Sequence, residues 1–538
     1  MSEALLSAVL NTLLREDFCG IRTSGRIERG HLCFDHVGRP AEIPVRPDGF
    51  LCDIAVAEPV VVHDGRAHRD LASILALFRQ RVAPEDLPGF DDFARECRAA
   101  VATERLQRHH RADALRRIAG RPRTGMAGTL GYDSLAAFAG HPVYPTGNAR
   151  LGIGRRDQLR YAPEHHATFA LRWAGLPAES VRGSGELPTW WPDPAELGLA
   201  AGDVPFPVHP LTATGRLARP GQVVVQPTLS MRTVAVLADP HTHLKLPLPT
   251  SSLGARNRRS IKPGTLVDGA VTERLLAAIL RREPEFAGRV VLADEQTYRH
   301  ADDELLAFLV RRYPADLATA EIVPLAALSA PGPDGRPVLD TLADRYCHGD
   351  RTAFLAAFLA PLLDFQTTLL LRYGIALESH QQNVSLVLDQ TGVRLLLKDN
   401  DGSRLRTDVV RAAFGGALPP DADPDLLADH RILVTDTEPL IDVFTTITLH
   451  LCAAAIVFAL PEPDRRPGLA LIRGLLAAAI DRHPPSDDAK RLRAATLDAD
   501  SLPVKAMVTA GTLLTKARSG ATDVNKCYLR GGPNYLSR

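Results

Sequence analysis

Two short apolar runs, Val384–Leu388 and Val393–Leu397, are joined by Asp389-Gln390-Thr391-Gly392, and they constrain this chain more than any other feature. Their β-prone residues and Gly-containing turn predict an antiparallel hairpin. If Leu388 faces Val393, then Val384 faces Leu397, and the polar flanks meet at the open end. One flank is Glu378-Ser379-His380-Gln381-Gln382-Asn383; the other is Lys398-Asp399-Asn400-Asp401-Gly402. Polar groups gathered between apolar strands are costly to leave unpaired. A bound cation and an anionic ligand would satisfy them; the alternative is a solvated hairpin end.

The rest of the chain supplies partners for that site. Leu5, Leu6, Val9, Leu10, Leu13 and Leu14 predict an amphipathic first helix with Ser2 as its cap. Alternating runs from Gly20 to Val62 predict a small antiparallel sheet, and Asp70–Val82 and Phe90–Ile118 predict helices. The basic face Arg105, Arg108, His109, His110 and Arg111 reads as a solvated surface. After a composition change at Gly120–Gly128, the Gly-rich stretch Gly140–Gly152 can bring backbone N–H groups close to a phosphate. Gln222–Gln226, Val234–Leu237 and a segment from Leu244 predict neighbouring strands. Ser230, Arg232 and Thr233 would then form a phosphate grip that Lys245 reaches from the next strand. His241 and His243 fall in an expected turn with no third metal ligand. Arg256, Arg258, Arg259 and Lys262 lie beside hydroxyls and suit an anionic small molecule. Beyond Gly264 the pattern is mainly helical, with a break at Ala330–Pro337. A helix over Asp350–Tyr373 stops at Gly374, and Leu440–Leu460 and Ala470–Arg482 are strongly apolar.

Sixty-three basic and 63 acidic residues give zero formal net charge, which argues against bulk attraction to nucleic acid or an anionic membrane. No apolar run is read as a membrane span, and Met1–Arg15 lacks the features of a signal segment. Seven scattered cysteines without a CxxC fit reduced thiols in a cytoplasmic protein. At 538 residues, about three or more structural units are expected.

A phosphate grip, a basic cluster and carboxylates able to hold Mg²⁺ imply an ATP-using transferase or ligase. Mg²⁺ binds through one or two carboxylates plus substrate phosphates, which Glu378 with Asp399 or Asp401 would provide. Lys398–Gly402 also resembles the Asp-x-Gly metal loop of kinases, which keeps a phosphotransferase reading open. A non-catalytic carboxylate-binding protein is a further alternative. Gly152-Ile153-Gly154 continues into Arg155-Arg156-Asp157, so there is no dinucleotide fingerprint.

Gly140-His141-Pro142, Tyr161-Ala162-Pro163-Glu164, His209-Pro210, Ser230-x-Arg232-Thr233, Lys245, Glu378-x-His380-x-Gln382-Asn383 and Lys398-Asp399 occur in one order. That ordered set resembles the IucA/IucC family, the NRPS-independent siderophore synthetases, over roughly residues 120–535. The resemblance implies an α+β, hand-like fold with antiparallel sheets and a largely helical C-terminal region. Its thumb, fingers and palm would cover 1–120, 121–335 and 336–538. It implies ATP- and Mg²⁺-dependent adenylation of a carboxylate, citrate or a citrate-derived or succinyl acid. An amine or alcohol would then displace AMP, in a cytoplasmic protein that could pair as a homodimer. By resemblance, Ser230, Arg232, Thr233, Lys245, Gln382 and Asn383 hold the nucleotide. Glu378 and Asp399 hold the metal, His380 and Arg258 contact the reacting carboxylate, and His141, Arg150, Arg256 and Lys505 serve the substrate. Arg258 overlays the family pattern best, with Arg256 and Arg259 as alternative registers. Departures from the pattern are Tyr144 for a usual His, Asn148 for a usual Lys, and Lys398-Asp399 for Arg-Asp.

Overall fold

The computed structural model describes residues 3–212, 219–521 and 526–537; the expected cap Ser2 lies outside them. The first helix, Glu3–Arg15, buries Leu6, Val9, Leu10, Leu13 and Leu14 against an antiparallel sheet spanning residues 26–68. Helix Leu71–Arg79 closes the same core, capped by Asp70, whose carboxylate accepts from Ser73 N at 2.9 Å. Helix Leu87–Ala119 adds Phe90 and Phe93, and Val508 and Leu513 from the far end of the chain complete the core.

An eight-stranded antiparallel sheet occupies the middle of the chain. In spatial order its strands are Arg182–Ser184, Asp294–Asp303, Leu306–Arg312, Asp239–Lys245, Thr233–Val236, Arg219–Pro227, Phe169–Pro177 and Asp203–Val208. Two sequence expectations fail here. Asp239–Lys245 is a strand and not a turn, with Pro240 near its start, where a missing N–H costs least, and His243 buried edge-to-face against Tyr313. Residues 290–324 are strand-rich although the pattern after Gly264 reads as helical. Short apolar runs such as Leu306–Val310 carry no period that separates a strand from a buried helix.

A four-stranded sheet carries the hairpin, in the order Val290–Leu292, Gly392–Leu397, Val384–Asp389, Glu321–Pro324. Its register pairs Leu388 with Val393 and Val384 with Leu397, as the residue alternation requires. Helix Arg351–Tyr373 backs the sheet. Asp350 caps it by accepting from Ala353 N at 2.9 Å, and Gly374 ends it at φ 63°. Contrary to the sequence reading, two helices among the described residues are long and apolar enough to cross a membrane, Arg351–Tyr373 and Glu438–Phe458. Their apolar windows are 72% and 100% buried within the protein, so both serve as core. All seven cysteines are free thiols.

Candidate active site

A cavity of about 320 Å³ opens where the hairpin end, the grip strands and two loops converge. Glu378, His380 and Gln382 are half-buried in it, with Ser379 and Gln381 buried between them. The buried members are tied to helix Glu438–Phe458: Gln381 Nε2 donates to Leu451 O at 2.5 Å, and Cys452 Sγ donates to Ser379 O at 3.0 Å. Backbone turns fix the segment, with Asn383 N donating to His380 O at 2.8 Å. The two flanks of the hairpin meet where Lys398 N donates to Asn383 O at 3.2 Å, and the Glu378 carboxylate occupies the space a Cβ on Gly402 would take.

The carboxylates are held by cations of the protein. Lys245 Nζ lies 2.5 Å from Asp399 Oδ1 and 3.0 Å from Asp401 Oδ2, and Lys505 Nζ lies 3.3 Å from Glu378 Oε1. Thr233 and Lys245 are cross-strand partners, which puts the ammonium beside the grip. Asp399 is a non-glycine residue at φ 65°, a strained conformation held by its neighbours. Its N–H donates to Glu295 Oε1 at 2.9 Å; that oxygen also accepts from Arg311 Nε at 2.5 Å, and Arg311 Nη2 lies 3.3 Å from Asp399 Oδ1. Burial alone would raise the Asp399 carboxyl, but Lys245, Arg311 and Arg232 more than offset it and hold it well below the usual range.

Two histidines face the same space. His141 Nδ1 accepts from Val143 N at 3.1 Å and Tyr144 N at 2.8 Å, and His380 Nδ1 accepts from Gln382 N at 3.3 Å. Each neutral ring therefore carries its proton on Nε2. Burial lowers His141 to about 3, helped by His380 and Lys505, and burial also lowers His380 against the opposing pull of Glu378. Near neutral pH both are uncharged donors.

The structure changes the arginine assignment. Arg258 is exposed and does not line the cavity, whereas Arg259 does. The loop folds back on itself, with Ser251 bridged to Arg258 and Arg259 N donating to Thr250 O at 2.9 Å. In extended backbone one residue step reverses the side-chain direction, so a register error of one exchanges inside for outside. Arg256 is also outside the cavity lining, its Nη1 donating to Thr512 O at 2.8 Å. Burial lowers Arg259 to about 9, with Arg232 adding to the effect.

Ser230, Arg232, Thr233, Gln382, Asn383, His141, Arg150 and Lys505 all line the cavity; Lys245 reaches it through Asp399 and Asp401. Arg150 is committed to Glu164 by bonds of 2.8 and 2.7 Å. Sequence reasoning missed Arg311, Glu295, Asp133 and Arg259's precedence. Lys398 and Asp133 both line the cavity, and burial raises Asp133 to about 6 against the opposing Lys398 charge. Among the described residues no three-ligand metal group is preformed. Hard carboxylate oxygens that already neutralise lysines fit a cation shared with phosphate oxygens better than one caged by protein alone.

The IucA / IucC family model matches residues 130–330, the stretch that carries the grip, the Gly-rich loop and Arg259. The ATP-bound aerobactin synthetase IucA of Klebsiella pneumoniae matches all of both chains at TM-score 0.76 and 17% identity. The chain resembles the IucA/IucC family. The rhizobactin siderophore biosynthesis protein RhbC of Rhizobium meliloti is 25% identical over 481 residues, 78% of this chain and 79% of its own. Staphyloferrin A synthase of Staphylococcus aureus is 23% identical over 321 residues, 52% of this chain and 54% of that protein. The matched stretch thus spans little more than half the length of the first curated relatives. A second model, described as ferric iron reductase FhuF-like transporter, matches residues 352–519, the helical stretch around the hairpin. The fold is the α+β arrangement of antiparallel sheets and buried helices that the IucA/IucC resemblance implies.

Proposed function

We propose that this protein is an ATP-dependent ligase of siderophore assembly. It would adenylate a carboxylate, citrate or a citrate-derived or succinyl acid, and pass the acyl group to an amine or alcohol. The observation that carries this reading is the convergence of three charge types in one cavity: the Ser230–Thr233 grip with Lys245, the carboxylates Glu378, Asp399 and Asp401, and Arg259 with two neutral histidines.

In the first step a carboxylate oxygen bonds to the α-phosphorus of ATP and the bond to pyrophosphate breaks. Two anions must approach each other, so fixed cations lower the barrier. Arg232, Ser230 and Thr233 would bind phosphate oxygens, and Lys245 would move from Asp399 and Asp401 onto them. Glu378 with Asp399 or Asp401 would hold Mg²⁺, which when bound neutralises charge on the departing phosphates. Arg259 offers a planar fork to the reacting carboxylate, and the Nε2–H groups of His141 and His380 donate to it without adding charge. In the second step an amine or hydroxyl bonds to the acyl carbon and AMP leaves. Positioning of the two reactants supplies much of the remaining rate.

The test is product analysis with ATP, Mg²⁺ and a panel of acids, with and without polyamines or amino alcohols. AMP and pyrophosphate are expected. ADP as the only nucleotide product would transfer the reading to a phosphotransferase, and acid binding without nucleotide turnover to a binding protein.

A further inference from the structure

Behind the cavity wall lies a buried carboxylate that the proposed chemistry does not use. Glu96, on helix Leu87–Ala119, is 2% exposed and accepts from three hydroxyls. Tyr144 OH and Thr146 Oγ1 donate to its Oε2 at 2.9 and 3.0 Å, and Thr512 Oγ1 donates to its Oε1 at 2.6 Å. Tyr144 and Thr146 belong to the loop that presents His141 and Asn148 to the cavity. Thr512 lies in the segment that follows Lys505 and Met507.

The network extends to the third wall. Thr512 Oγ1 accepts from Ala255 N at 3.0 Å, and the Thr512 carbonyl accepts from Arg256 Nη1 at 2.8 Å. The loop bearing Arg259 is thereby attached to the same point. A Cβ on Gly254 would lie 2.9 Å from Gly511 O, so the two segments are at backbone contact. Neighbouring contacts repeat the arrangement: Glu16 accepts from Val508 N at 3.0 Å and Thr509 N at 2.7 Å, and Arg15 Nη2 donates to Val143 O at 3.0 Å.

We propose that Glu96 is a positioning residue that sets the spacing of the three loops carrying His141, Arg259 and Lys505. The inference rests on the ligase reading for its kinetic consequence only. Each hydroxyl has its one proton committed to Glu96, so losing the carboxylate unties the loop of Tyr144 and Thr146 from the Thr512 segment, to which the Arg259 loop is itself bonded. A side chain one methylene shorter could not bridge Oε1 and Oε2 partners on separate segments. Ser230 and Arg232 of the phosphate grip lie in the turn before strand Thr233–Val236, and Arg232 Nη1 donates to Ser260 O at 2.9 Å rather than to Glu96, so nucleotide binding should change much less than acid binding.

The test combines hydrogen–deuterium exchange with steady-state pyrophosphate release on the full chain, for the unaltered protein, Glu96→Gln, Thr512→Val and the double variant. In Glu96→Gln, exchange should quicken at 141–149, 250–259 and 507–513 while the hairpin at 384–397 keeps its protection. The KM for the acid should rise about tenfold or more with the KM for ATP within about twofold. The double variant should be no worse than the poorer single one, because both act on one network. Unchanged loop exchange and unchanged acid KM in a Glu96→Gln protein of lowered Tm would overturn the proposal, leaving Glu96 a packing residue. If the unaltered protein releases no pyrophosphate with any acid, the ligase reading fails, and loop exchange alone decides the role of Glu96. Should Glu96→Gln fail to fold, Tyr144→Phe, which removes one O–H and keeps the ring, carries the same comparison.

Discussion

The Lys245 ammonium sits 2.5 Å from the Asp399 carboxylate, 154 residues away in sequence, and only 4% of the lysine side chain is exposed. The group proposed to bind phosphate and the group proposed to bind the metal thus neutralise each other. On the proposed function, ligand binding would be an exchange of partners, the lysine gaining a phosphate as the aspartate gains a cation. In such an exchange neither charge would be left buried and unpaired, a state that costs several kcal/mol.

That exchange predicts the metal dependence. Glu378→Gln and Asp399→Asn should each raise the Mg²⁺ concentration needed for half-maximal turnover and lower the rate sharply. Asp399→Asn should also lose stability, about 3 kcal/mol, because Lys245 and Arg311 lose a partner. Magnesium titration of pyrophosphate release and urea unfolding check both. Asp401→Asn is the comparison, and a greater loss there would move the metal ligand by two residues.

The arginine cluster gives a sharper test. Arg259→Lys keeps a charge but loses the planar fork, so it should cost on the order of 2–4 kcal/mol of transition-state stabilisation, roughly 30- to 1,000-fold in rate. Arg258→Lys, at an exposed position outside the cavity, should leave turnover unchanged. Calorimetric ATP binding should be similar in both. A reversed pattern would restore the assignment of Arg258.

The histidines predict a pH effect on stability. His141 has its folded value lowered to about 3, against about 6.5 when unfolded, so between these values the unfolded chain binds the extra proton. Its contribution is complete above pH 6.5 and is lost as pH falls toward 3. Asp133, raised to about 6, acts in the opposite sense: its contribution is present below about pH 4 and is lost as pH rises through 6. His141→Gln should therefore flatten the fall in unfolding free energy between pH 6.5 and 4 by up to about 1.4 kcal/mol per unit. Denaturant titrations at each pH measure it; an unchanged slope would mean the ring is charged in the folded protein.

The sequence by itself determined the hairpin, its register and the polar set at its open end. Those follow from alternation within one strand pair, where Val384 and Leu397 have no freedom once Leu388 meets Val393. It also determined the helix from Arg351 to Tyr373, because Asp350 and Gly374 mark its ends by local chemistry. The grip was legible because Ser230, Arg232 and Thr233 are adjacent in sequence, and its link to Lys245 needed only the neighbouring strand. Only the tertiary structure decided which arginine enters the cavity, since that depends on how residues 251–259 fold back over Gly511. It alone brought Glu295 and Arg311 under Asp399 and Glu96 behind the loops. These are contacts between segments 48 to 416 residues apart, and no local period encodes them.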